Sequence, residues 1–388
     1  MDAHTAGPET LWDVAIVGAG PAGAAAALAA LKARPDASVL LLDAAEFPRD
    51  KVCGDGVAPQ ALDVLGALGV DLDELVAGTA PITSLDLVSP SGVRASGAFA
   101  RPARVIPRKL LDERLVRAAL AAGAQLARCR VRSIVRRGDH VLVADSYRAR
   151  VVIGADGAES VVRRTSGAAP APAGTVAVAV RGYVAADPWP AGRQLLRMAT
   201  ADWPAYAWAF PVGDGTANVG YGQLLTGTPP SRAHLTQRLG ELLPDAAGAQ
   251  VRGHRLPLST GRPDYGHDRV LLVGDAASLI NPLTGEGIYY AVVSGSLAGV
   301  AALAADPVAQ YRRSMRTALD KHLRQSDLVN KATRRSGFVD VATAAAGSDR
   351  RLFASLVEFG LADGRLGARD LVALLRACAA SPAGVVRC

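Results

Sequence analysis

The hydrophobic pattern near the N-terminus alternates between continuous apolar runs and a run of small residues. Residues 13–17 read DVAIV, and residues 38–42 read SVLLL. Short, continuous apolar runs of this kind are typical of strands that are buried on both faces of a parallel sheet. Between them, residues 24–31 (AAAALAAL) predict a helix. The pattern therefore predicts a strand–helix–strand unit and an α/β fold.

A glycine-rich turn joins the first strand to this helix. Residues 18–23 read GAGPAG, which fits the spacing G-x-G-x-x-G. Gly18 would permit the tight turn, Gly20 the close approach of a pyrophosphate, and Gly23 the packing of the helix on the strand. An acid about 20 residues further on, here Asp43, would accept hydrogen bonds from a ribose. Together these residues predict a bound dinucleotide.

A second strand–turn–helix pattern occupies residues 270–292. An apolar strand (VLLV) leads into Gly274 and Asp275, a turn rich in proline and glycine follows, and an apolar helix begins near Ile288. A carboxylate at the end of a strand, beside the amide groups of a helix N-terminus, can hold a polyol and an electron-rich ring. An acidic cap on an ordinary helix has the same pattern, so its meaning depends on the rest of the chain.

The remaining pattern divides the chain into three regions. It predicts a hairpin over 81–100, a helix over 108–122, strands at 125–135, 140–153, 176–184, 206–211 and 216–222, and a helix over 231–243. Everything from residue 307 onward has a helical pattern. We expect a discontinuous dinucleotide-binding domain that comprises 1–80, 101–165 and 257–306. A β-rich substrate domain would comprise 81–100 and 166–256, and a helical C-terminal region would comprise 307–388.

Composition is typical of a soluble enzyme with a large core, because 50% of the 388 residues are hydrophobic and 20% are charged. Two long uncharged runs, 14–31 and 288–305, are interrupted by glycine and are interpreted as buried elements. Residues 1–10 carry two acids and no lysine or arginine, which argues against a signal peptide and favours a cytoplasmic location. The four cysteines show no spacing typical of a disulfide framework or a zinc site.

Most of the net charge of +7 lies in one segment. Residues 311–335 hold eight basic and two acidic residues, a net charge of +6. Apolar residues recur there near helical spacing, at Tyr311, Met315, Leu319, Leu323, Leu328 and Ala332. The simplest interpretation is a packed helix with a solvated face, and the alternative is weak peripheral contact with an anionic membrane. No nucleic-acid recognition motif accompanies the charge, so nucleic acid is not an expected partner.

Three motifs occur in an order that is typical of one enzyme class. They are GAGPAG with Asp43, the sequence ADG at residues 155–157, and Gly274-Asp275 followed by NPLTGEG. In these motifs the chain resembles FAD-dependent enzymes of the p-hydroxybenzoate hydroxylase fold. The resemblance implies a Rossmann-type, discontinuous FAD-binding domain, a β-sheet substrate domain and a helical C-terminal tail.

The same resemblance implies a role for each motif. The first would hold the pyrophosphate and ribose of FAD, Asp156 would reinforce the FAD site and approach a reductant, and Asp275 would hold the ribityl chain. Amide groups of the loop after Asp275 would face the isoalloxazine, where negative charge develops on reduction. The residues implied for cofactor binding are Gly18, Gly20, Ala22, Gly23, Asp43, Arg49, Gly54, Arg108, Val131, Asp156, Asp275, Pro282, Gly285, Gly287 and Ile288.

Two further segments resemble the geranylgeranyl reductase family within this class. Residues 47–56 read FPRDKVCGDG, and residues 206–211 read YAWAFP, with NVGYG following at 218–222. The resemblance implies FAD-dependent reduction of carbon–carbon double bonds in long isoprenoids. Because side chains alternate along a strand, Tyr206, Trp208 and Phe210 would share one face and form an apolar wall for the substrate. The alternative is ordinary core packing between the two domains.

Reduction of an alkene needs a hydride on one carbon and a proton on the other. An unpolarised alkene offers the protein little charge to hold, so the proton donor must be close and aligned. Cys53 is the candidate catalytic residue and proton donor, and its alternative role is that of a small buried residue in a tight turn. Arg49 and Lys51 are expected to serve the FAD phosphates or an incoming reductant.

The same fold supports other reactions. The main alternative is an FAD-dependent monooxygenase that hydroxylates or epoxidises an apolar natural product, and a flavin halogenase or an electron carrier are further alternatives. Only one G-x-G-x-x-G is present, so NAD(P)H is expected as a transient electron donor, unless another donor serves. The expected substrate is a small apolar molecule, either an isoprenoid or a secondary metabolite such as a terpenoid or polyketide.

Overall fold

The computed structural model describes residues 10–167, 174–260 and 263–380, and these residues form two sheets and several helices. The strands are β1 (Leu11–Val17), β2 (Val39–Asp43), β3 (Gly56–Val57), β4 (Pro81–Val88), β5 (Arg94–Val105), β6 (Gln125–Arg128), β7 (Ile134–Arg137), β8 (His140–Val143), β9 (Tyr147–Gly154), β10 (Val176–Ala185), β11 (Arg193–Met198), β12 (Ala205–Pro211), β13 (Thr216–Leu224), β14 (Arg252–Pro257), β15 (Gly266–His267) and β16 (Val270–Leu272). The helices are α1 (Pro21–Ala33), α2 (Pro59–Ala67), α3 (Leu72–Val76), α4 (Arg108–Ala121), α5 (Val161–Thr165), α6 (Arg232–Leu242), α7 (Ile288–Ala301), α8 (Pro307–Thr333), α9 (Ser336–Ser348), α10 (Arg350–Leu361) and α11 (Ala368–Ala380).

The first sheet is a parallel core with an antiparallel extension. Its order is β15-β16-β9-β1-β2-β6, in which β16, β9, β1, β2 and β6 run parallel, while β7 and β8 extend it beside β9. The middle strand β1 is almost wholly buried, as its continuous apolar run predicts. The strand–helix–strand unit at the N-terminus therefore has the expected Rossmann-type topology, and the α/β fold class is confirmed.

Helices α1 and α7 pack backbone to backbone. A Cβ atom on Gly295 would lie 2.1 Å from the carbonyl oxygen of Ala22, and one on Gly299 would lie 2.2 Å from that of Ala26. The two pairs advance together along both helices, so the helices run parallel. Because only small residues permit this approach, the alanine and glycine content of both helices is a packing requirement.

The second sheet has the order β14-β10-β13-β12-β11-β4-β5-β3 and is antiparallel except between β11 and β4. Strand β12 carries the sequence AYAWAFP and pairs with β13, where Trp208 lies opposite Gly220. A Cβ on Gly220 would lie 2.1 Å from the indole ring of Trp208. The absence of a side chain at Gly220 therefore makes room for the indole of Trp208. The aromatic residues of β12 can pack in this way only beside the glycine of β13.

Some predicted strands differ from those observed. The single strand predicted over 125–135 is wrong, because β6 ends at Arg128 and β7 begins only at Ile134. The strand predicted over 140–153 is divided by a turn at Ala144 and Asp145, both with positive φ. Strand β5 continues to Val105 and pairs with β3, so the second sheet includes residues on both sides of position 100. The domain boundaries themselves stay a prediction.

The C-terminal region is helical in its described part, as predicted. Four apolar residues of α8, namely Tyr311, Met315, Leu319 and Leu323, are buried, and the hydroxyl of Tyr311 donates to the carbonyl of Leu272 at 3.0 Å. Helices α9 and α10 pack on β5, where Gly97 makes room for the ring of Phe353. None of the described helices is long and apolar enough to cross a membrane.

The α1–α7 contact gives a first prediction. Gly299→Ala should lower the free energy of unfolding by about 1–3 kcal/mol, because the added methyl group forces the helix backbones apart. Gly240→Ala is the matched control, since it makes the same change within helix α6, where the nearest atom to the new Cβ is 3.9 Å away. That control should raise stability by up to about 1 kcal/mol. Urea unfolding of both variants measures the difference, and equal midpoints would contradict the packing argument.

Candidate functional site

A cavity of about 1150 Å³ is lined by residues of both sheets and of the C-terminal helices. It brings together residues that are distant in sequence. Every predicted site residue except Gly23 lines it: Gly18, Gly20, Ala22, Asp43, Arg49, Cys53, Gly54, Arg108, Val131, Asp156, Tyr206, Trp208, Phe210, Asp275, Pro282, Gly285, Gly287 and Ile288. Val131 lies in the loop between β6 and β7, not in the strand that was predicted there.

The glycines of GAGPAG are required by close contacts. Gly18 has φ +98°, and a Cβ there would lie 2.3 Å from the carbonyl oxygen of Ala155 in the ADG motif. A Cβ on Gly23 would lie 1.9 Å from the carbonyl oxygen of Gly18. Gly23 thus serves the packing of α1 on the turn and does not line the cavity. In the described part of the chain no side chain caps α1, so its first amide groups are left for a ligand.

Two guanidinium groups face Gly20. From the position of a Cβ on Gly20, Nη2 of Arg108 is 3.5 Å away and Nη2 of Arg49 is 3.6 Å away. Both arginines bind Asp112, which is fully buried, with Arg108 at 2.6 and 2.7 Å and Arg49 at 2.8 Å. The ion pair with Asp112 holds the pKa of Arg108 above its usual value, although burial alone would lower it. The two cations are therefore fixed beside an open backbone, as a pyrophosphate site needs.

Asp43 is held at the end of β2 by backbone groups. Its carboxylate accepts from the N–H groups of Ala19 and Ala45, each at 2.9 Å, and Arg49 lies 3.6 Å away. These bonds fix the carboxylate beside the turn at Gly18 to Gly23. A carboxylate has about four acceptor positions, so Asp43 keeps capacity for a ribose hydroxyl.

Asp275 is bound by a lysine from the FPRDKVCGDG segment. Lys51 Nζ lies 3.2 Å from Asp275 Oδ2. Burial alone raises the pKa of Asp275, but the hydrogen bond from Lys51 and the charges of Lys51, His254 and Arg108 together outweigh it, so the pKa lies below its usual value. Asp275 is thus ionised at the strand end, where a polyol could bind. Lys51 was expected at the phosphates or a reductant, whereas its contact here is with Asp275.

Asp156 has a structural contact that the sequence did not predict. Its carboxylate accepts from the N–H groups of Val161 and Val162, at 2.7 and 3.1 Å, and from the hydroxyl of Ser160. These groups form the N-terminus of α5, so both carboxylate oxygens are engaged there. Asp156 lines the cavity, but its charged group is turned to the helix, where it stabilises the ADG turn.

The loop that joins Asp275 to α7 is braced by Asn281, which is fully buried. The N–H of Gly285 donates to the carbonyl of Asn281 at 3.0 Å, so this amide is engaged within the loop, contrary to the expectation that it faces a ring. Glu286, which sequence reasoning missed, lines the cavity and accepts from the N–H of Tyr289 at 2.8 Å. Burial raises the pKa of Glu286 to about 7. The loop therefore carries an acid that exchanges protons near neutrality.

Tyr206, Trp208 and Phe210 lie on one face of β12, as the alternation predicts. Successive ring centroids are 5.9 and 6.4 Å apart, and all three rings line the cavity. A Cβ on Gly54 would lie 3.4 Å from the ring of Phe210 and 3.6 Å from Nε1 of Trp208. The loop that carries Cys53 thus lies directly against this aromatic wall.

Cys53 is held at the cavity surface by its backbone. Its carbonyl oxygen accepts from Arg181 Nε at 3.1 Å and from Asn218 Nδ2 at 2.9 Å. Its sulfur accepts from the N–H of Asp55 at 3.4 Å. Burial raises the pKa of the Cys53 thiol to about 11, which keeps it protonated at neutral pH. The loop therefore presents a neutral thiol in a fixed place.

Asn218 and Asp55 form a buried polar cluster behind this loop. Asn218 also accepts from Nε1 of Trp208 at 2.9 Å and donates to Asp55 at 2.7 Å, so it joins the aromatic wall to the Cys53 loop. Asp55 is fully buried, accepts from the hydroxyl of Tyr183, and has a pKa that burial raises to about 6. The FPRDKVCGDG and NVGYG motifs were the sequence signals for this cluster, but they did not identify its partners.

Comparisons with known proteins bear on the family and the cofactor. A sequence profile for an FAD binding domain matches residues 12–205, half of the chain. Menaquinone reductase of Mycolicibacterium smegmatis is 32% identical in an alignment of 347 positions that covers 80% of each chain. Digeranylgeranylglycerophospholipid reductase 1 of Methanopyrus kandleri is 34% identical over 318 residues, 76% of this chain and 81% of that one.

The chain belongs to the geranylgeranyl reductase family of FAD-dependent oxidoreductases. A solved structure, the geranylgeranyl bacteriochlorophyll reductase-like protein of Thermoplasma acidophilum, has the same fold, with a TM-score of 0.74 at 21% identity, and the match covers 97% of this chain and 98% of that one. The protein is therefore an FAD-dependent reductase. Both the family and the fold class agree with the expectation from the sequence motifs.

The reductase's own residues fit FAD. The open backbone at Gly20 between two guanidinium groups suits the pyrophosphate, and Asp43 stands where a ribose would follow. Asp275 stands at the start of the second glycine-rich turn, where the ribityl chain would bind. Bound there, FAD would supply two-electron redox chemistry.

The environment of Cys53 gives a second prediction. In a variant with Cys129, Cys378 and Cys388 replaced by serine, the rate of Cys53 alkylation by iodoacetamide should rise about tenfold per pH unit between about pH 8 and 10, because only the thiolate reacts. It should level off only near pH 11, the value to which burial raises the pKa of Cys53. Mass spectrometry of the alkylated peptide gives the rate. A plateau near pH 8.5, that of an exposed thiol, would contradict the buried setting.

Proposed function

We propose that this reductase adds hydrogen across a carbon–carbon double bond of a long isoprenoid chain. One observation carries the proposal, namely that a single cavity joins the FAD motifs, the Cys53 loop and an apolar end. Beyond the aromatic wall that end is lined by residues such as Leu196, Val329, Leu356, Phe359 and Leu374. A cavity end lined by aliphatic and aromatic side chains suits a prenyl chain better than a compact natural product with polar groups. The names of the two curated relatives support the same substrate class.

The residues between the FAD motifs and the apolar end of the cavity suit the reduction of an alkene. FAD bound in this site and reduced would be the source of a hydride for one alkene carbon. We propose that Cys53 supplies the proton to the other carbon, so that the S–H bond breaks as the C–H bond forms, leaving a thiolate. Because the pKa of this thiol is raised to about 11, the thiolate regains a proton readily. The aromatic wall would hold the alkene against this thiol and exclude water.

For the electron donor we propose NAD(P)H, which would reach the flavin transiently. The chain has one G-x-G-x-x-G motif, and the GAGPAG turn that carries it lines the FAD site, so a nicotinamide cofactor would have no dinucleotide fold of its own. Exposed cations such as Arg255, close to the cavity residue Glu159, would attract its phosphates. Weak, transient binding follows from such surface contacts.

The role of Cys53 gives a third prediction, on the isolated chemical step. FAD in the protein is reduced anaerobically with dithionite, which makes the test independent of the natural donor, and a short prenyl alkene is then added. Cys53→Ala should slow flavin reoxidation by the alkene by about 100-fold or more, because the general acid is lost. Cys53→Ser should retain less than the native rate. Both variants should keep the FAD absorbance spectrum.

Glu286→Gln is the matched comparison, because Glu286 is a second acid on the same cavity. If Glu286→Gln abolishes the step while Cys53→Ala keeps it, the proton comes from Glu286 and the role of Cys53 is wrong. When the native reductase turns over under air, the amount of oxygen consumed should not increase with the amount of product formed. Stoichiometric oxygen uptake with a hydroxylated or epoxidised product would instead support a monooxygenase and overturn the proposal.

A further inference from the structure

Exposed apolar side chains cluster at one place on the surface. Seven large hydrophobic residues are exposed in the described part of the chain, and four of them belong to α8 and α11. We call these four the rim: Leu328 (66% exposed), Leu371 (43%), Val372 (45%) and Leu375 (65%). Single exposed apolar residues need no explanation, but a cluster of this kind marks an interaction surface.

Three of the four rim residues line the apolar end of the cavity. Leu328, Leu371 and Leu375 line the same cavity as Cys53 and the aromatic wall, while their side chains are also open to the surroundings. Gln325 joins α8 to the loop that precedes α11, because its side chain exchanges hydrogen bonds of 2.9 Å with the backbone of Leu366. The rim is thus the edge of an opening and not a separate patch.

Basic residues accompany the rim residues along both helices. Residues 320–335 and 363–380 together carry eight basic and four acidic residues, so their net charge is +4. Exposed cations stand beside the rim residues in sequence, Arg324 and Lys331 on α8, and Arg369 and Arg376 on α11. Arg324 and Lys331 also pair with Asp320 and Asp327, which reduces their contribution. Exposed apolar side chains with basic residues beside them are typical of protein surfaces that bind anionic lipid membranes.

This surface differs from the one that the sequence pattern suggested. Four apolar positions of the 311–335 segment, from Tyr311 to Leu323, are buried against the first sheet and its helices and cannot meet lipid. Only the last third of α8, from Arg324 onward, reaches the opening. The apolar residues of α11 complete the surface, although they lie outside the basic segment.

We propose that the rim docks on the surface of an anionic bilayer and passes a lipid-dissolved substrate directly into the cavity. The leucines would enter the interfacial region, and the arginines would lie among the lipid phosphates. Docking itself follows from the rim, whereas substrate transfer rests on the proposed function. The partner is a lipid surface, because the cavity opens through the apolar cluster and the charge around it is positive.

The test measures docking without turnover. Holoprotein is centrifuged with vesicles of phosphatidylcholine and phosphatidylglycerol, and with vesicles of phosphatidylcholine alone. The native protein should bind the anionic vesicles more tightly, and added salt should weaken this binding. Leu328→Asp and Leu375→Asp should each weaken it about tenfold, since each removes one inserted leucine. Arg369→Glu with Arg376→Glu should weaken it by a similar or larger factor and reduce the salt dependence.

Matched controls make the outcome decisive. Leu120→Asp changes a leucine that is 40% exposed on α4, away from the rim, and Arg137→Glu changes an exposed arginine on β7. Both should bind like the native protein. Unchanged vesicle binding by the rim variants would overturn the proposal. It would also be overturned if the native protein does not bind vesicles but forms a dimer in solution that Leu375→Asp converts to monomers. Vesicle binding remains measurable if no alkene is reduced, so the two proposals fail separately.

Discussion

The backbone contact between α1 and α7 is the constraint on which the rest of the site depends. It sets how close the turn at Gly20 can come to the turn at Asp275, because each turn precedes one of these helices. Gly274 lies against α1 as well, with its Cβ position 3.3 Å from the Cβ of Ala22. Two parallel helices thus present their N-termini, and the positive ends of their dipoles, to one cavity. A larger residue at the contact would separate the two halves of the FAD site.

The sequence predicted best those residues that a local backbone geometry requires. Gly18 and Gly23 are needed by contacts within one turn, and Asp43 is held by the amide of Ala19 in that same turn. Because such a requirement involves residues that are close in sequence, it produces a short motif that can be recognised before the fold is known. The alternating aromatic residues of β12 are predictable for the same reason, since a strand's period is local.

Residues that act through distant partners could not be predicted in this way. Asn218 contacts the Cys53 loop across 165 positions of sequence, and Lys51 meets Asp275 across 224. Nothing in the local pattern specifies which side chains the two sheets bring together. The prediction of one strand over 125–135 was wrong for a related reason, because apolar content alone does not show where the pairing between two strands ends. For α8, periodicity identified the buried face, but only the fold shows that Leu328 reaches an opening.

The cavity separates charge from apolar surface, and the Cys53 loop lies at the boundary. On one side Arg49, Arg108 and Lys51 are fixed by carboxylates, and on the other the aromatic wall continues into aliphatic side chains. Burial raises the pKa of Cys53, the charge of Arg108 opposes this, and the nearby carboxylates of Asp55 and Glu286 raise it further. A thiol in this position stays neutral, so an uncharged chain can approach it without desolvating an ion. The arrangement at the boundary thus suits proton transfer to an apolar substrate beside a highly charged cofactor.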